Sequence, residues 1–92
     1  MSGSVAARSK LLFNNVHMLR VAGVISHGDD VVDSQRLQRE LELGQSAVQR
    51  ILVTLEGVGL MERLERQVRT EPVRFRRLPH SFWRAAQELA DA

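Results

Sequence analysis

The stretch LELGQSAVQRILVTLEGVGLMERLE, residues 41–65, constrains this chain more than any other. Val48, Ile51, Leu52 and Leu55 recur at spacings of three, four and seven residues, so a helix here carries one apolar stripe that must be buried. Gly57 and Gly59 stop that helix, and a strand opens at Leu60. The opposite side of the helix holds Gln45, Ser46, Gln49 and Arg50, with Val53 near its edge. Amides, a hydroxyl and a guanidinium suit base edges: Gln can pair with adenine, Arg can grip guanine with two hydrogen bonds, and Ser serves a base or a phosphate. An ordinary surface helix has the same two-sided pattern, so the neighbouring segments must decide between the readings.

Upstream, Asp33 and Ser34 can cap a helix whose apolar positions are Leu37 and Leu41, and Leu43 closes the turn before Gly44 begins the next helix. Two helices about three residues apart make a helix-turn-helix candidate. Downstream, residues 60–66 and 73–78 read as two strands around a polar connection containing Pro72. In the second strand Val73 and Phe75 alternate with Arg74 and Arg76, turning cations toward solvent.

With these residues in place, the chain resembles the winged helix-turn-helix transcription regulators, the MarR and ArsR families among them, over roughly residues 11–78. The likeness rests on the helix-turn-helix leucines, the QSAVQRIL and LEGVGLMERL segments and the basic hairpin. It departs at Glu42, where these families carry the turn glycine, and at Gly44, where Ser or Thr is the commoner cap. Glu42 must then adopt a backbone conformation that glycine accepts more readily. The resemblance implies a mainly α fold with a small β-hairpin (α+β): a three-helix core, a wing and a C-terminal helix. It implies a recognition helix reading DNA through Gln45, Ser46, Ala47, Gln49 and Arg50, and a wing touching phosphates or the minor groove through Arg66, Arg69, Arg74 and Arg76.

Charge agrees in its distribution. The formal net charge of the 92 residues is only +2, and twelve of the thirteen basic residues are arginine, which stays charged at any working pH. Between Leu60 and Leu78 six arginines face three glutamates, a local excess of three positive charges. Cross-strand pairing with glutamate is the competing use of Arg63 and Arg66. A chain of this length, 43% hydrophobic, suffices for one small core. Residues 1–9 read as a flexible lead-in and 10–92 as the single domain, with no fused ligand-sensing domain.

Both ends carry more apolar surface than one stripe can hold. Residues 9–26 read as a helix in which Leu12, Val16 and Leu19 face the core, leaving Leu11, Met18 and Ile25 for another contact. Pro79 favours a fresh helix over residues 80–91, with Phe82, Ala86 and Leu89 on one stripe and Trp83 and Ala90 on another. In the families it resembles, such terminal helices build a homodimer, which would space two recognition helices one DNA turn, about 34 Å, apart. Leu11, Phe13, Met18 and Trp83 are the interface residues expected on that basis. The alternative is that both helices wrap the same core.

Catalysis finds no foothold. His17, His27 and His80 are scattered, and HExxH, a glycine-rich phosphate loop and a nucleophile elbow are all missing from the sequence. With no cysteine there is neither a disulfide framework nor a thiolate metal site. His80 lies eight and eleven residues from Glu88 and Asp91, outside the spacing of three or four that places metal ligands together on a helix. No enzyme activity, metal or cofactor is expected. The longest apolar runs fall far short of the ~20 residues of a membrane span, and a cytoplasmic location follows as the expectation. Double-stranded DNA is the expected partner, bound by a small dimeric transcriptional regulator. The alternative is a winged-helix interaction module or assembly adaptor that docks a protein partner without DNA affinity.

Overall fold

The computed structural model describes residues 4–92. It is a mixed α+β structure: α1 (Val5–Phe13), α2 (Met18–His27), β1 (Val31–Asp33), α3 (Ser34–Leu41), α4 (Gln45–Gly57), β2 (Met61–Arg63), β3 (Arg74–Arg77) and α5 (Ser81–Asp91). The chain divides into two compact units, one formed by the chain up to Gly28 together with His80–Ala92, the other by Asp29–Pro79.

In the first unit α2 packs on α1 and α5. The single helix expected over residues 9–26 is two. Asn14 takes the left-handed conformation at φ 55° and ends α1, its N–H donating to the Lys10 carbonyl. Asn15 then accepts the His17 N–H on Oδ1 at 2.8 Å. Asparagine tolerates this geometry because its short polar side chain bonds locally. Ser9 joins the two helices: its fully buried Oγ donates to the Asn15 carbonyl at 2.5 Å and accepts the Leu19 N–H at 2.9 Å.

The break resets the helical phase, and the expected sides change with it. Leu12 and Val16, read as core, are 57% and 41% exposed, whereas Met18 and Ile25, read as surface, are buried. The expected lead-in is also corrected over residues 5–9, which are helical, with Ser4 Oγ accepting the Ala7 N–H as an N-cap. Residues 1–3 of that lead-in lie outside the described residues. On α5, begun by His80 Nδ1 accepting the Phe82 N–H, Trp83 and Ala86 are buried. Phe82 meets Phe13 and Trp83 edge-on.

The second unit holds the sheet, in the order β1-β3-β2 and antiparallel throughout. Val31, Val32 and Asp33 of β1 face Arg76, Phe75 and Arg74, while Met61, Glu62 and Arg63 of β2 face Arg77, Arg76 and Phe75. Strand β1 was not expected, because three residues are too few to display a period of two. The strand expected over residues 60–66 is cut to three residues, and the rest forms a loop spanning residues 64–73. Buried Leu37, Leu41, Val48, Ile51, Leu52, Leu55, Met61 and Phe75 belong to this unit.

The turn between α3 and α4 is as short as the sequence suggested. Asp33 caps α3 by accepting the Arg36 N–H at 3.0 Å. Glu42 lies at φ 55°, ψ 42°, its N–H donating to the Gln38 carbonyl, and Leu43 donates to that same carbonyl at 3.1 Å. The conformation reserved for glycine is thus occupied by glutamate. Gly44 precedes α4 with no side-chain cap, leaving the first N–H groups of that helix unclaimed by a capping side chain.

Candidate nucleic-acid interface

The apolar stripe of α4 is fully used: Val48, Ile51, Leu52 and Leu55 are each at most 2% exposed. That burial fixes what the helix shows. Gln45, Ser46, Gln49 and Arg50 are exposed together on its first two turns, and Val53 beside them is exposed as well. Ala47, expected among them, is half-buried and offers only a methyl group. Thr54 Oγ1 is occupied by the Arg50 carbonyl at 2.9 Å. From Gln45 to Leu55 the helix contains no acidic residue, and Glu56, which ends that run, lies 3.4 Å from Arg63.

Beside α4 the second unit has a cleft of about 390 Å³. Gln45 and Gln49 line one wall, Gln35, Gln38 and Arg39 of α3 another, and Arg63, Arg66 and Glu71 of the hairpin a third, over an apolar floor of Leu52 and Phe75. Sequence reasoning did not include the α3 residues or Arg63. Their signal was present in the spacing of 35, 38 and 39, which puts three polar side chains on one helical face, but only the short turn brings that face to α4.

The hairpin arginines do not act as one patch. Arg66 Nη1 donates to the carbonyls of Arg69 and Glu71, at 3.2 and 3.4 Å, and so orders the loop. Glu71 accepts the Gln67 N–H at 3.2 Å and stands 3.6 Å from Arg74. The guanidinium of Arg63 sits 5.2 Å from the centre of the Phe75 ring, a cation–π contact. Arg63 therefore does pair with glutamate, though with Glu56 of α4 and not across the sheet. Arg69 is exposed at the loop tip.

Strand alternation separates the rest. Phe75 faces the cleft, so Arg74 and Arg76 project from the opposite face of β3. There each stands directly opposite a carboxylate in the register, Arg74 opposite Asp33 and Arg76 opposite Glu62. On α3, Arg36 is drawn to Glu40 at 2.7 Å, a hydrogen bond that raises its pKa further above the ordinary arginine value. Arg77 is drawn to Asp30 at 2.9 Å.

The four expected interface residues of the terminal helices are dispersed. Met18 and Trp83 are each 6% exposed and Phe13 is half-covered, so the chain itself buries most of what was assigned to a second copy. Leu11, at 87%, stays open to solvent. Among the described residues no cluster of His, Cys, Asp and Glu suits a metal ion, and no helix is long and apolar enough to cross a membrane. Compared with models of known protein families, with curated proteins and with solved structures, the chain matches none.

Proposed function

We propose that this chain is a winged helix-turn-helix protein that binds double-stranded DNA sequence-specifically, with α4 in the major groove and the hairpin beside the flanking backbone. The observation that carries the reading is the exposed, acid-free face of α4, where two amides, a hydroxyl and a guanidinium are held outward by a stripe buried on the other side. A helix of 13 residues is about 20 Å long and fits a groove about 12 Å wide. Uncapped N–H groups at its start favour a phosphate. The chain order from α2 to β3, with β1 paired to β3, supports the winged-helix assignment.

A transcriptional regulator acting as a homodimer is the biological role proposed. Leu11, Leu12 and Val16 are the exposed apolar side chains of the first unit that favour self-association. The test is fluorescence anisotropy of labelled genomic and random duplexes across a salt series, with sedimentation run in parallel. Selective binding whose logarithm falls linearly with the logarithm of salt supports the reading. No duplex binding at low salt, with tight heteromeric association, favours the protein-docking alternative.

A further inference from the structure

Resting on the duplex-binding reading, we infer that the cleft beside α4 seats one sugar–phosphate strand of the duplex, held by Arg39 and Arg63, and that Arg74 and Arg76 stay off the DNA. Charge balance on the two faces of the hairpin points there. On the outer face Arg76 has Glu62 opposite it in the register, and Arg74 stands 3.6 Å from Glu71, so each has a carboxylate near it to offset its charge. The cleft holds three guanidinium groups and one carboxylate, and that carboxylate, Glu71, already receives the Gln67 N–H and faces Arg74 at 3.6 Å.

The arginines differ in how free they are. Arg66 is committed to two loop carbonyls. Arg39 is exposed and makes no ion pair among the described residues. Arg63 holds Glu56 only at 3.4 Å, a long contact on a side chain 43% exposed, while the Phe75 ring keeps its guanidinium in place. A phosphate oxygen accepts from such a group at little cost, because a long exposed pair is weak and is exchanged for a charge-assisted bond. Gln35 and Gln38 on the α3 wall add amide donors for the sugar–phosphate oxygens, leaving Gln45 and Gln49 to the base edges.

Two measurements test this. On a random duplex, Arg39→Gln and Arg63→Gln are each expected to lower the slope of log K against log salt by ~0.9, the loss of one phosphate contact, while Arg76→Gln leaves it unchanged. A slope lost in Arg76→Gln and kept in both cleft variants overturns the inference. Independently of any duplex, inorganic pyrophosphate is titrated into 15N-labelled wild-type protein. Shifts of the Arg39 and Arg63 side-chain N–H signals, with Arg76 silent, support the seat, and shifts confined to Arg69 and Arg76 overturn it. Pyrophosphate held in the cleft by a protein that binds no duplex would end the DNA reading and leave the anion seat standing. Silence in both experiments overturns both.

Discussion

Replacing Gly23 with alanine is the most direct probe of how the first unit is packed. A Cβ at that position would lie 2.8 Å from the Cβ of Ala90 on α5. Carbon atoms in contact prefer about 3.5–4.0 Å, so α2 and α5 must separate by about 1 Å there. Ala90 cannot swing aside, because its Cβ is fixed to the helix backbone. Overpacking of this kind costs about 1–3 kcal/mol. Alanine returns about 1 kcal/mol of helix propensity, since glycine is the worse helix former. The net expectation is a loss of about 1 kcal/mol. With a urea slope of about 1 kcal/mol/M the midpoint drops by about 1 M, and Tm falls by about 4–8 °C. Trp83, the single tryptophan and part of the same unit, reports the transition by fluorescence. Ala90→Gly in the Gly23→Ala background removes the clash and should recover more stability than the two single changes predict by addition. A raised midpoint in Gly23→Ala, or strict additivity across the cycle, would show that the helices do not meet at this point.

Three further changes test other parts of the structure. Ser9→Ala strands the Leu19 N–H and the Asn15 carbonyl and is expected to cost about 1–3 kcal/mol, read as a lower urea midpoint; an unchanged midpoint would mean that the serine does not join α1 to α2. Glu42→Gly relieves a left-handed residue that costs about 1–2 kcal/mol, against about 0.4–1 kcal/mol of added freedom in the unfolded chain, so stability should rise by up to about 1.5 kcal/mol; a fall in stability refutes the strain argument. Arg50→Ala should cost ~1–3 kcal/mol at a matched site and much less on scrambled DNA, measured by anisotropy; equal losses on both remove Arg50 from base readout.

The parts of the fold legible in the sequence were those with a repeating physical signature. The α4 stripe needed four apolar residues at helical spacing, and all four are buried. Asp33 identified the start of α3, and Glu42 takes the left-handed conformation expected at the turn glycine's place. What escaped depended on partners distant in the chain. The break at Asn14 and Asn15 is held by Ser9, whose importance is invisible until its two bonds are seen. Strand β1 exists because β3 offers it an edge, not because Val31–Asp33 declares a strand. In the candidate site the α4 face was readable, whereas the division of the arginines between two sides of β3 became visible only with register and alternation.

The first unit is discontinuous: α1 and α2 come before the second unit in the chain, and α5 comes after it. Arg8 makes the separation concrete, its Nε donating to the Leu89 carbonyl at 3.2 Å and its Nη2 to that of Ala92 at 3.0 Å. Closing a loop of that span costs entropy that grows with the logarithm of its length, so these bonds are expected to form after the intervening segment has become compact. On a ribosome, synthesising from the N-terminus, the continuous unit from Asp29 to Pro79 has its full complement of strands before α5 emerges. Until then the face of α2 that carries Gly23 and His27, which meet Ala90 and Asp91, stays uncovered by α5.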